Sequence, residues 1–289
     1  MYKKITKIAV LLDMIKFKHT VFALPFMLMG AFLAQGGVPG ATVLFWVILA
    51  MAGARTCAMG FNRIVDADFD TQNPRTAGRA IPAGQVKQRE AWTMVIISGL
   101  VFFGACYQLN PFTFFLSPFF LAITLLYSFS KRFTWLCHLV LGLSLACSPL
   151  GGFIAVKGAL TGFPWVLPLG VLFWVAGFDT VYACLDVDFD RQMGLYSLPA
   201  RVGRKNSFSI AACFHLTAFI LFCLTGVFCG LNSVYYIGMV VTGGALVYQH
   251  LIVKPSDFSR INMSFFTMNG LISLTLFIFT WLSLITDQY

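Results

Sequence analysis

Asn62-Arg-Ile-Val-Asp66-Ala-Asp-Phe-Asp70 closes one long apolar run, and Tyr182-Ala-Cys-Leu-Asp186-Val-Asp-Phe-Asp190 closes another, 120 residues further along. Each acidic stretch leads into a loop with Pro, Arg and Gly: Arg79-Ala-Ile-Pro-Ala-Gly84 after the first, Leu198-Pro-Ala-Arg-Val-Gly203 after the second. With nearby Asp179, the two clusters hold seven of the 11 acidic residues in the chain. Carboxylates at this density repel one another unless a cation lies among them, so the pattern predicts a divalent-metal site built from two matching halves.

The rest of the chain places that site at a membrane edge. Hydrophobic residues make up 58%, charged residues 11%, and the mean hydropathy is +0.81, which excludes a soluble globular domain of this length. Nine apolar runs stand out, at about 19–35, 41–62, 92–109, 112–129, 134–156, 165–185, 207–230, 234–253 and 262–285. Each is close to the roughly 20 residues a helix needs to cross hydrocarbon, and none alternates as a barrel strand would. Asn110-Pro111 is the only punctuation between the third and fourth runs. A merged helix there would invert everything downstream.

With a cytoplasmic N-terminus, 18 of the 20 Lys and Arg residues fall on the inner side, Lys157 alone lies outside, and Arg55 sits within a span. The net charge of +9 is then accounted for by inner loops facing anionic lipid and phosphate, with no nucleic acid required. Residues 5–18 are expected to form an amphipathic lead-in rather than a cleaved signal, because Asp13, Lys16, Lys18 and His19 interrupt the first apolar stretch. The eight cysteines include no C-x-x-C pair and are expected to be packing residues.

The expected architecture is an all-α integral membrane protein of nine transmembrane helices around a central cavity. Residues 1–289 form one domain, with four-helix repeat halves at about 19–129 and 134–253 and a ninth helix at 262–285. Helical spacing aligns Arg55, Asn62, Asp66 and Asp70 on one face of the second helix, and Asp179, Asp186 and Asp190 on one face of the sixth. Asp68 and Asp188 fall about 200° away by the 3.6-residue period and are weaker candidates. Both acidic stripes lie at C-terminal helix ends, where the helix dipole disfavours negative charge, so a bound cation or an Arg cluster must offset it. Arg55 and Asp179 lie about 10 Å deeper, where an ionised group faces a polar cavity. A diphosphate with a long apolar tail, held through metal ions and cationic side chains, suits this combination.

These motifs resemble the UbiA-type intramembrane prenyltransferases. The family's Asn-x-x-x-Asp-x-x-x-Asp matches Asn62, Asp66 and Asp70, and its Asp-x-x-x-Asp matches Asp186 and Asp190, preceded by Asp179-Thr-Val-Tyr-Ala183. Its Tyr-x-x-x-Lys matches Tyr127 and Lys131, and its loop Arg pair matches Arg75 and Arg79. The resemblance implies magnesium-dependent transfer of a polyprenyl group from a polyprenyl diphosphate to a small aromatic acid, of 4-hydroxybenzoate or dihydroxynaphthoate type, in ubiquinone or menaquinone biosynthesis. It implies a multi-pass protein of the inner or plasma membrane, with its site on the cytoplasmic side.

By the same resemblance Asn62, Asp66, Asp70, Asp186 and Asp190 would hold two Mg2+ ions, while Lys16, Arg75, Arg79, Tyr127 and Lys131 would bind the diphosphate. Arg55 would pair with the acceptor carboxylate. Asp179 is the candidate for activating the acceptor or taking the ring proton, with a third metal contact as the alternative. Three positions depart from the family: His19 where Lys is frequent, Arg63 where Asp is common, and Tyr196-Ser197 where a Lys-Ser pair is frequent. A diphosphate contact expected at that pair is then missing unless Arg201 or Arg204 substitutes for it. An ion-coupled transporter is the competing class, since repeats and intramembrane charge also describe carriers.

Overall fold

The computed structural model describes residues 7–15 and 20–286. A short lead-in, α1 (Lys7–Met14), precedes the long helices α2 (Thr20–Gln35), α3 (Ala41–Val65), α5 (Gln88–Leu109), α6 (Pro111–Ser130), α7 (Cys137–Lys157), α8 (Val166–Ala183), α10 (Leu198–Phe228), α11 (Ser233–Ile252) and α12 (Asn269–Thr286). Two six-residue helices, α4 (Ala67–Gln72) and α9 (Val187–Gln192), follow α3 and α8. Every apolar run is thus a helix. Seven of these rods are long and apolar enough to cross a membrane; α2 and α11 are the two that fall outside that measure. The chain is a multi-pass membrane protein.

Asn110 separates the third and fourth runs. Its side chain caps α6 by accepting from the Thr113 amide at 2.8 Å, and its own amide donates to the carbonyls of Ile154 and Ala155 at 2.9 and 3.0 Å. With Pro111 at the first helical position, where a missing N–H costs nothing, two helices form rather than one.

Each long helix packs on the next, and α12 returns to α2, which closes a ring; α2 also crosses the centre to lie along α7. That crossing is backbone against backbone. A Cβ at Gly30 would stand 2.0 Å from the Pro149 carbonyl oxygen, and one at Gly152 would stand 1.9 Å from that of Met27. Small residues are what allow helices to approach this closely in lipid.

The α2–α7 crossing divides the ring into unlike lobes. One lobe, among α2, α8, α10, α11 and α12, is filled by a buried cluster that includes Phe26, Trp174, Phe222 and Tyr235. The other lines a partly open cavity among α2, α3, α5, α6 and α7, with about 1030 Å³ of empty space counting its open side. Its walls run from Asn62 and Tyr127 to Leu109 and Thr113 at the far ends of α5 and α6. From Thr113 to Tyr127 is about 21 Å of helix at 1.5 Å per residue.

The acidic stretches are not straight helix ends, as the spacing alone suggested. α3 stops at Val65, Asp66 takes φ −91° and ψ 1°, and α4 begins after it. The second stretch does the same: α8 passes through a 3-10 turn (Cys184–Asp186), Asp186 takes φ −104° and ψ 7°, and α9 follows. Four-residue bonds persist across the first break, with Asp66 N donating to the Asn62 carbonyl at 2.9 Å and Asp70 N to that of Asp66 at 2.8 Å. The shared face therefore survives. Asp70, Asp186 and Asp190 are buried, whereas Asp68 and Asp188 are exposed. Gly84 lies in a loop, but the second stretch expected as a loop, residues 198–203, is the start of α10 and ends in a kink at Gly203; both glycines take positive φ, 68° and 79°, a conformation that L side chains adopt at a cost.

Candidate active site

The two acidic tips face each other. Asn73 and Arg75, in the loop after the first cluster, reach Asp186 of the second: Asn73 donates at 3.1 Å, and Arg75 donates through Nε at 2.8 Å and through a second guanidinium nitrogen. Arg79 donates to both oxygens of Asp70, at 2.6 and 2.8 Å. Lys131 lies 3.4 Å from Asp190, and Arg132 lies 3.6 Å from Asp66. Each of the four expected carboxylates thus meets a cation. A bidentate guanidinium is the strongest of these partners.

The first cluster is also braced from behind. Asn62 donates to Asp66 at 2.8 Å, and Arg63, almost fully buried, donates to the Asn62 side-chain oxygen and to the Met14 carbonyl, both at 3.2 Å. The family departure at Arg63 therefore ties the metal-motif asparagine to the lead-in helix. Burial, and then the charge of Asp70, push the Asp66 carboxyl above the usual carboxylate range. A cation between the two would relieve this.

Five oxygen-bearing side chains are the donor set of a hard divalent cation such as Mg2+, so Asn62, Asp66, Asp70, Asp186 and Asp190 fit the expected ion in chemistry. They are not drawn into a cage: among the described residues no three His, Cys, Asp or Glu side chains gather closely enough to hold a metal. Arg75 and Arg79 occupy the carboxylates instead.

Arg55, Asn62 and Tyr127 line the cavity, with Arg55 about two turns deeper than Asn62. Asp179 pairs with His138, whose Nδ1 lies 2.7 Å from its carboxylate. Lys16 and His19 lie outside the described residues. Among the described residues neither Arg201 nor Arg204 pairs with Asp66, Asp70, Asp186 or Asp190. The Arg201 guanidinium covers the Trp135 ring at 4.2 Å, and Arg204 bonds the exposed Asp188 at 3.0 Å.

Sequence reasoning missed Asn73, Arg132, His138 and Ser197. Ser197 donates to Asp190 at 2.7 Å and accepts from the Ala200 amide as the N-cap of α10. Ser197-Leu-Pro199 has the form of a capping residue followed by an early proline, a signal that marks the helix start. Nothing local marks His138.

A family model described as the UbiA prenyltransferase family matches residues 23–281. The chain is 31% identical over 226 residues to the 4-hydroxybenzoate octaprenyltransferase of Pectobacterium carotovorum subsp. carotovorum (strain PC1), covering 78% of each. It is 32% identical over 222 residues to the protein of that name in Aeromonas hydrophila subsp. hydrophila, covering 77% of each. An apo structure of a UbiA homolog from Aeropyrum pernix K1 superposes with a TM-score of 0.81 at 32% identity, covering 94% of this chain and 98% of that one. A UbiA homolog from Archaeoglobus fulgidus bound to GPP and Mg2+ shares the fold, with a TM-score of 0.68 at 17% identity over 96% of this chain and 99% of that one. The match along nearly the whole chain and the tips joined over a cavity agree with the motifs: the chain belongs to the UbiA prenyltransferase family, as a membrane prenyltransferase.

Proposed function

We propose that the protein transfers a polyprenyl group from its diphosphate to a small aromatic acid of 4-hydroxybenzoate or dihydroxynaphthoate type, in quinone biosynthesis, with Mg2+ as cofactor. The observation that carries this is the bond from Arg75 to Asp186, which joins the two acidic tips beside an apolar cavity whose walls include Arg55, Asn62 and Tyr127. The names of the relatives, and the ligands of the Archaeoglobus fulgidus homolog, support it.

Asn62, Asp66, Asp70, Asp186 and Asp190 would hold the metal, which supplies positive charge to the departing diphosphate. Arg75 and Arg79 are held on carboxylates in this structure, and loading moves them onto diphosphate oxygens beside Lys131 and Tyr127. Cleavage of the allylic C–O bond leaves its electron pair on the diphosphate and a cation on the tail. The acceptor ring, its carboxylate paired with Arg55, then forms the new C–C bond and gives up a ring proton. Asp179, part of whose side chain stays accessible, is the proposed acceptor of that proton or the group that activates the ring. The two four-helix halves then serve as the two jaws of one site, on the cytoplasmic side of the inner or plasma membrane.

The test is to incubate the purified protein with Mg2+, a labelled polyprenyl diphosphate and each acid in turn, and to identify the product by mass. A prenylated acid is expected, and none is expected with EDTA. Product that forms equally well after chelation would remove the metal from the reading; free polyprenol alone would remove the acceptor.

A further inference from the structure

His138 lies outside every motif that marks the site, yet it is wholly buried and its Nδ1 stands 2.7 Å from Asp179 Oδ2. Its other nitrogen identifies the tautomer. The backbone N–H of Leu198 donates to Nε2 at 3.3 Å, and a main-chain N–H offers only a proton, so Nε2 must present a lone pair. The single ring proton then resides on Nδ1, which donates to Asp179.

The brace is not local. Leu198 opens α10 directly after Ser197, the residue that donates to Asp190. One helix start therefore touches a carboxylate of the diphosphate half through Ser197 and Asp179 through His138. Asp179 keeps 16% of its side chain accessible, and His138 lies about one helical turn before Leu141 of the cavity wall. Tyr127 lines the cavity.

We propose that His138 is the positioning residue of the acceptor half: a neutral imidazole protonated at Nδ1 and braced by the Leu198 amide, it orients Asp179 to accept a hydrogen bond from the hydroxyl of a phenolic acceptor. This rests on the prenyl-transfer reading above, but half of its test needs no turnover.

In the full-length protein labelled with 15N-histidine, the His138 ring is expected to show a protonated Nδ1 and a bare Nε2, assigned by loss of the signals in His138→Gln. A ring protonated at Nε2, alone or together with Nδ1, overturns the proposal. In kinetics with geranyl diphosphate and 4-hydroxybenzoate, His138→Leu should lower kcat/KM for the acid about tenfold or more, the scale of a lost hydrogen bond to a charged group. KM for the diphosphate should be unchanged. His138→Gln keeps one donor and one acceptor and should recover most of the loss. A leucine variant equally impaired toward both substrates, or a glutamine variant as poor as leucine, overturns the proposal. A wild-type chain that prenylates neither acid sinks the functional reading instead, while the imidazole signals still decide this one.

Discussion

Asp66 and Asp190 sit on opposite tips and take their cations from the same short segment, Lys131-Arg132 at the end of α6. On the proposed metal assignment, removing either carboxylate would leave one jaw unable to share the ion. Asp66→Ala and Asp190→Ala should each lower kcat by about 10² or more, in line with the loss of a group that stabilises transition-state charge. Helical circular dichroism should be unchanged, and near-normal turnover in either variant refutes the metal assignment. Arg55→Ala should raise KM for the acid by about tenfold or more, with diphosphate affinity held, because a guanidinium facing a carboxylate in a dry site is worth roughly 1.5–3 kcal/mol. Equal loss toward both substrates would place Arg55 elsewhere. These residues were legible because seven- and four-residue steps align them on a helix whatever the rest of the chain does. His138 was not, since its partners Asp179 and Leu198 lie 41 and 60 positions away and meet it only after three helices have packed.

Helices α2 and α7 meet where Gly30 and Gly152 leave no room for a side chain. Gly152→Val should destabilise the fold by about 3 kcal/mol, the upper part of the usual range for overpacking, seen as a lower Tm in detergent. Gly104→Val provides the control, since a Cβ at Gly104 meets nothing within 4 Å. Equal Tm values for the two variants would mean that the crossing tolerates separation. Hydropathy marked the long helices, and Asn110-Pro111 marked the break between α5 and α6. The interruptions at Asp66 and Asp186 were hidden, because a four-residue step fits a straight helix and a broken one equally well.

At the scale of the whole molecule, the clustering of cations at one end is the physical basis for orientation. A single cysteine placed at Lys157 should react with a membrane-impermeant thiol reagent only from outside the cell, in a background with the native cysteines replaced. Labelling only from within would invert the topology. The sequence repeat implied two like halves and gave no sign that the lobes on either side of the α2–α7 crossing differ, since a count of phenylalanines does not say which way each one faces. Leu121→Ala, on the cavity wall, should let the enzyme use longer polyprenyl diphosphates, as judged by competition among chain lengths. Phe222→Ala, in the filled lobe, should cost about 3–5 kcal/mol of stability and leave that preference unchanged. A shift in preference from Phe222→Ala would show that the tail reaches the filled side. The ring is a scabbard with a backing plate: the hollow side is open to change in what it sheathes, while the solid side keeps the two rims of the mouth in register.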